Sequence, residues 1–260
     1  DGAPEMPSLV VELAKALDLP NVMPVKVDLA RPVGRQLDDP DRFDLILCTN
    51  VVSGMAADRQ NLLIKEFGRW LTAEGSVIIV DPADEVKNRH LLEFRDRCVQ
   101  AEWQILAPCP HQLPCPAVEI ERETCHDRFI FEEPEFMIDL GTKRAARPPA
   151  TQVTWFVIGR EHRIKISENR ARLVGERTKE KGRIHARICG DNGLTDLELQ
   201  NRDRTDSNSD LGRAIRYDLL EISELESSGN RLRITKAARC EIVEEDGLLC
   251  LDSQRGSNEP

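Results

Sequence analysis

No apolar run in this chain approaches the ~18 uncharged residues that a membrane-crossing helix needs. The longest candidates are Leu45-Ile46-Leu47 and Val77-Ile78-Ile79-Val80, so a helical membrane protein is excluded. The chain opens Asp-Gly-Ala-Pro-Glu-Met, with neither a basic nor an apolar leader segment, and no secretory signal is visible. The first half holds no Gly-x-Gly turn of the kind that cradles a nucleotide cofactor. Nowhere does a Cys-x2-Cys pair occur, so the usual structural-zinc knuckle is absent. Internal repeats and low-complexity tracts are lacking too. What is present suffices for a folded protein: 260 residues, 40 % hydrophobic and 32 % charged, a composition outside the disordered class. At that length two modest domains are expected.

The net charge of −10 speaks against a nucleic-acid binder when taken alone, but its distribution is uneven. Residues 1–158 hold 17 Lys and Arg against 26 Asp and Glu, residues 159–189 hold 10 against 4, and residues 190–260 hold 9 against 16. The field that attracts phosphate is local, screened within about 8–10 Å at cellular salt. A basic island in an acidic chain is therefore a sharper hint than the overall charge. The same island also fits a solvated charged hairpin.

Along the first half, strands and helices alternate. Leu9, Val10, Leu13, Ala14, Ala16 and Leu17 fall at helical spacing, after which Pro24 to Leu29 reads as a short strand. Phe43 to Cys48 is apolar on both faces, as in the middle of a parallel sheet. Asp58 is placed to cap a helix carrying Leu62, Leu63, Phe67, Trp70 and Leu71, and Gly75 to close it. Ser76 to Asp81 is the next strand and Glu85 to Cys98 the next helix. This βαβ rhythm predicts an α/β, doubly wound (Rossmann-like) sheet. After Val99 come a stretch rich in Pro, Cys, Glu and Arg and one more strand, Thr154 to Ile158. Short β-type runs follow at Arg183 to Ile188, Asp218 to Ile222 and Arg231 to Val243. They predict a small β-rich, OB-like C-terminal domain over 159–260, beside a first domain over 1–158. The polar stretch Asn201 to Ser209 reads as a mobile loop.

Eight cysteines without a visible secretory signal do not suggest a disulfide framework. Three of them, Cys109, Cys115 and Cys125, fall in the loop 105–128, two flanked by prolines that keep the loop stiff and irregular. Thiolates so presented bind zinc or an iron–sulfur cluster, and three need a fourth ligand from elsewhere. Cys189, inside the basic island, is the leading candidate. Free thiols fit the same spacing. Cys48, Cys98, Cys240 and Cys250 read as structural cysteines.

Ala107-Pro108-Cys109-Pro110-His111-Gln112-Leu113-Pro114-Cys115-Pro116, followed by Cys125-His126-Asp127-Arg128-Phe129, resembles the signature of the methyltransferase-like small-ribosomal-subunit assembly factors of mitochondria and their bacterial relatives. The resemblance extends through Phe43 to Leu47, Ser76 to Asp81, Thr154 to Ile158 and Gly182 to Cys189, and fades beyond residue 195. It implies a four-iron four-sulfur (4Fe-4S) cluster held by Cys109, Cys115, Cys125 and Cys189, stapling the two domains. His111 and His126 would pack the loop or act as outer donors. It also implies small-subunit ribosomal RNA and ribosomal proteins as partners, and a monomer outside the particle. The mitochondrial matrix or a bacterial cytoplasm would be its compartment.

The resemblance further implies a sheet like that of S-adenosylmethionine-dependent methyltransferases, here lacking the first strand and its glycine loop. Asp1 would correspond to the acidic residue that holds the ribose, and Asp28 and Leu29 would flank adenine. Without a glycine loop, S-adenosylmethionine should bind poorly or not at all. No catalytic residue emerges: where amine methylation commonly uses an Asn/Asp-Pro-Pro-aromatic turn, the chain reads Thr49-Asn50-Val51-Val52-Ser53. Three functions are therefore compatible with the residues. The first is an assembly factor whose island contacts RNA phosphate through Arg160, Arg163, Lys165, Arg170, Arg172, Arg177, Lys179, Lys181, Arg183 and Arg187. The others are an active ribosomal RNA methyltransferase and a zinc-stabilised protein with no RNA role.

Overall fold

In a computed structural model of the chain, the described residues are 6–28, 43–121, 123–130, 150–160, 169–229 and 231–243. Helix α1 (Met6–Ala16) buries Ala14 but leaves Leu9, Leu13 and Leu17 exposed. The strand expected from Pro24 does not form, and residues 22–28 carry no strand pairing. An extended segment becomes a strand only when a neighbour takes its backbone N–H and C=O groups.

The first sheet is assembled from β1 (Phe43–Thr49), β2 (Leu71–Pro82), β3 (Gln104–Ala107), β4 (Asp127–Ile130) and β5 (Ala150–Gly159) in the order β1-β2-β5-β3, with β4 also on β5. Strands β1 and β2 run parallel, while β5 is antiparallel to β2, β3 and β4. Helices α2 (Ala57–Trp70) and α3 (Glu85–Gln100) cover it. Leu63 and Phe67 of α2, Leu91, Phe94 and Cys98 of α3, and Val77, Ile79, Phe156 and Ile158 of the sheet share one core. Each large apolar side chain so buried stabilises by about 1.5–3 kcal/mol.

Three local expectations are corrected here. β1 is not the two-faced centre of a parallel sheet: among the described residues it pairs with β2 alone, and Phe43, Leu45 and Leu47 are exposed. Asp58 lies in the first turn of α2 rather than at its cap, which is Ala56. Gly75 does not end α2, because β2 begins directly at Leu71 and runs through it. Between the pairs Phe43↔Leu71 and Leu45↔Ser76 the register shifts, and a Cβ on Gly75 would meet the Phe43 carbonyl oxygen at 2.9 Å. The glycine is required by close approach within the sheet.

The second sheet has eight strands: β6 (Arg170–Leu173), β7 (Thr178–Glu180), β8 (Arg183–Gly190), β9 (Gly193–Gln200), β10 (Leu219–Ser223), β11 (Glu226–Ser228), β12 (Arg231–Ile234) and β13 (Arg239–Val243). Their order is β11-β12-β9-β8-β6-β10-β13, with β7 on β8. Alternation along β8 sends Ile184, Ala186 and Ile188 into a core with Leu173, Leu197, Leu199, Leu220 and Cys240. The stretch expected to be a mobile loop is ordered instead. It forms two 3-10 turns, Asn201–Asp203 and Asp206–Gly212. Asn208, fully buried, accepts from Thr205 N and donates to the carbonyls of Asp203 and Thr235. A polar sequence is ordered here because its own side chain satisfies the backbone.

Asp210 ties this segment to β13, accepting from Arg213 Nε at 2.9 Å and from Ile242 N at 3.0 Å. The Arg213 hydrogen bond, with help from Ile242, holds its carboxyl below the ordinary value of 3.8. A carboxyl depressed in the folded state stabilises above its unfolded pKa, and that contribution is lost as pH falls through the lower folded value. Asp210→Asn is expected to cost about 0.5–1.5 kcal/mol at pH 7, discounted for partial exposure. In urea titrations at stepped pH the gap to the unmodified chain should narrow below pH 3.8.

Candidate metal centre between the two sheets

The cysteine loop leaves β3 and is folded back onto it by Gln112, whose amide accepts from Ile105 N and donates to Ile105 O, both at 2.8 Å. Helix α3 grips the loop from below. Arg95, 1 % exposed, donates to Asp96 and to the carbonyls of Leu113 and His111. The Asp96 carboxylate accepts from Cys115 N at 3.0 Å. Downstream, Asn88 and Thr154, both buried, donate to the Cys125 carbonyl at 2.9 and 3.0 Å. Two thiol-bearing positions are thus set by backbone contacts from α3 and β5.

The second sheet meets the loop at the same place. Arg172 of β6 donates from Nε to the Pro108 carbonyl and from Nη1 to the Tyr217 carbonyl, each at 2.8 Å. Cys189 Sγ on β8 lies 3.3 Å from His111 Nε2, and Cys125 Sγ lies 4.0 Å from the Tyr217 hydroxyl. Cys115 and Ala117, the latter in the short helix α4 (Pro116–Glu119), pack with Leu92 and Cys125 against Leu194 of β9. Arg187 of β8 pairs with Glu123 at 3.3 Å.

Cys109, Cys115, Cys125 and Cys189 lie within electrostatic reach of one another. Burial, then the neighbouring Cys109 and Cys125, pushes the Cys115 thiol up to about 12. Burial and Cys109 push Cys125 up to about 11. Cys189 is raised by burial and then by all three loop thiols. Arg95 is the buried cation whose field opposes this at Cys115 and Cys189. The seven described cysteines are free. Among the described residues no three His, Cys, Asp or Glu side chains are close enough to hold a single metal ion.

His111, itself 3 % exposed, has its pKa lowered first by burial and then by Arg95, and its Nδ1 has no hydrogen-bond partner. His126 lies beside Thr124, its Nδ1 3.0 Å from the hydroxyl. Sequence reasoning missed Arg95, Asp96, Asn88 and Tyr217. Their roles depend on α3 and the 215–217 turn reaching a loop far along the chain, and no local pattern announces that.

The other expected site residues are scattered. Asp28 is exposed on the segment before β1, whereas Asp1 and Leu29 lie outside the described residues. Thr49 to Ser53 is locked by Asp81, fully buried, whose carboxylate accepts from Val51 N and Ser53 N. Cys48 is buried in β1, and burial pushes its thiol up to about 12. Within the basic island, Arg163 and Lys165 lie outside the described residues. Much of the remaining charge is engaged internally: Arg170 with Glu221, Arg183 with Glu198, and Arg187 with Glu123 and Asp196. Arg172, 5 % exposed, faces the cysteine loop rather than solvent. Arg160 donates to the Gly68 carbonyl and sits over the Trp103 ring. Among the described residues Arg177, Lys179 and Lys181 have no carboxylate partner.

No curated protein matches the chain. Among solved structures it is similar to the PH0226 protein from Pyrococcus horikoshii OT3, at 16 % identity and TM-score 0.29, over 60 % of this chain and 68 % of that one. It is also similar to a chain in a structure described as "Molecular basis for abrogation of activation of pro-inflammatory cytokines", at 16 % identity and TM-score 0.23. That match covers 30 % of this chain and 41 % of the other, so the chain spans less than half of that relative's length. Likenesses this weak bear on neither mechanism nor partner. No described helix is long and apolar enough to cross a membrane. The family model described as mitochondrial small ribosomal subunit Rsm22 matches residues 2–214, which takes in the first sheet, the cysteine loop and Cys189, and the chain belongs to this methyltransferase-like family.

Proposed function

We propose that the chain is an iron–sulfur-containing, methyltransferase-like factor that assists assembly of the small ribosomal subunit by binding its RNA. One observation carries the cluster part: thiols from the loop after β3 and from β8 of the other sheet gather at one buried place. The donor set fits a 4Fe-4S cluster held by Cys109, Cys115, Cys125 and Cys189. All four are soft ligands, the donor type that iron–sulfur clusters take. When bound, such a cluster supplies iron–thiolate bonds that join the two sheets, a link dependent on iron and sulfide supply. The protein's own residues do the rest. Arg95 and Asp96 hold the loop, Arg172 fastens it to the second sheet, and His111 stands against Cys189.

The ribosomal part is supported by family membership. Ribosomal proteins, a monomer outside the particle and the mitochondrial matrix or a bacterial cytoplasm belong to the same reading. So does an OB-like fold for the β-rich C-terminal domain. S-adenosylmethionine is not assigned a site, since of its expected contacts only Asp28 is described. The test is anaerobic purification with iron, sulfide and zinc analysis, followed by gradient sedimentation with small ribosomal subunits. About four irons per chain and co-sedimentation are the expected results. A colourless preparation with stoichiometric zinc would transfer the site to the zinc reading, and failure to sediment with subunits would remove the ribosomal one.

A further inference from the structure

The strand β7 separates its charges by sign. Glu176, Thr178 and Glu180 line a surface basin of about 680 Å³, together with Lys181, Arg183, His185, Arg187, Asp196 and Arg231. Most of its cations are engaged: Arg183, His185 and Arg231 converge on Glu198, and Arg187 lies between Glu123 and Asp196. Among the described residues Lys181 alone of them has no carboxylate, and it shares the basin with Glu176 and Glu180. Within β7, Lys179 alternates with Thr178 and Glu180 and so lies on the opposite side, that of its partner Ile184, and Arg177 immediately precedes the strand.

Arg177 is unusual there. Its Nε and one Nη are shielded from solvent and have no hydrogen-bond partner. The charge acting on it is another cation, Arg204, which follows the 3-10 turn Asn201–Asp203; the Arg204 Nη2 lies beside Gly212, as does Ile184, the residue that β8 pairs with Lys179. Neither guanidinium has a carboxylate partner among the described residues. Their supports are stiff: the Lys181–Gly182 turn between β7 and β8 receives a hydrogen bond from Asn201 N to Gly182 O at 2.8 Å. Two guanidiniums held together without an anion repel each other, and shielded donors left unpaired add to the cost. An anion with several acceptor oxygens relieves both at once. The planar forks of arginine match a phosphodiester better than a point charge does.

We infer that Arg177 and Arg204 form a seat for an RNA backbone phosphate, with Lys179 adding a third charge on the same side. The inference rests on the RNA-binding reading above and narrows it from a ten-residue island to one pair, half of which lies outside the island. Most of the other island cations are engaged by the fold, and a chain of net charge −10 repels polyanions over most of its surface.

The test is a fluorescence anisotropy titration of a labelled single-stranded RNA of about 30 nucleotides, repeated over a sodium chloride series. Three proteins are compared: the unmodified chain, Arg177→Gln/Arg204→Gln, and Arg183→Gln. Matching thermal midpoints establish that all three are folded. The double variant is expected to bind at least about ten-fold more weakly, with a log–log salt slope smaller by about 0.7, the value for one single-strand phosphate contact. Arg183→Gln should stay within about two-fold. If the unmodified chain binds RNA and the double variant binds equally well, or Arg183→Gln loses as much, the seat is refuted while RNA binding stands. If the unmodified chain binds no RNA, both fall. Displacement of the RNA by a poly-glutamate peptide at equal charge would reassign the pair to an acidic protein segment and overturn the phosphate seat.

Discussion

Cys189→Ser is expected to abolish the broad iron–sulfur absorption near about 400 nm and to lower iron from about four per chain to below one. Cys189 is the one proposed ligand contributed by the second sheet, so no neighbouring thiol of β8 can replace it. Serine presents a harder oxygen at nearly the same position, a poor substitute for thiolate on iron. Cys115 and Cys125 are held by Asp96, Asn88 and Thr154, and Arg95 and Gln112 fold the loop itself, none of these contacts involving Cys189. The variant is therefore expected to fold, and a lost cluster cannot be ascribed to a lost loop. With the staple gone, the sheets remain joined by Arg172, the Arg187–Glu123 pair and the Leu194 contact. Limited proteolysis should then degrade the variant faster than the iron-loaded chain. Retention of about four irons by the variant would refute the ligand assignment.

Arg95→Met is expected to destabilise the chain by about 3–5 kcal/mol, measured as a lower urea midpoint on iron-free protein. Methionine is apolar and similar in length, so the loss is chiefly electrostatic and hydrogen bonding rather than a cavity. The substitution strands the carbonyls of His111 and Leu113 and leaves Asp96 without its cation. A buried acceptor left unpaired costs about 1–3 kcal/mol, and several are stranded together. Arg95→Lys keeps the charge but not the fork, and should recover only part of the loss. An unchanged midpoint for Arg95→Met would show that the loop holds itself. Because this measurement needs no metal, it separates the scaffold's stability from the cluster's.

The elements most legible in the sequence were those whose signal is local. Apolar periodicity located α2, α3 and the strands β1, β2, β5, β8 and β10, because those side chains bury themselves against whatever lies beside them, while β3, β4, β6, β7, β9 and β11 went unread. The cysteines were legible as a set because ligand chemistry depends on residue type. Gly75 misled, since the same absence of a side chain suits a helix end and a crowded strand. Asn201 to Ser209 misled because composition reports polarity, whereas order there depends on what Asn208 touches.

The basic island shows the same divide more sharply. Ten cations in 31 residues can be counted in the sequence. Which of them face a carboxylate depends on Glu123, Asp196, Glu198 and Glu221, brought across from other strands. Arg172 changed role altogether, from an expected phosphate contact to a clasp on Pro108. The sequence by itself determined the α/β rhythm, the β-rich second half and the cysteines fit to bind metal, because each follows from residue type and short-range spacing. Only the tertiary structure decided which of the described charges face a carboxylate, which arginines hold the loop and that Cys189 comes within electrostatic reach of the other three thiols. Those depend on distances between segments far apart in the chain, and such distances are set by packing.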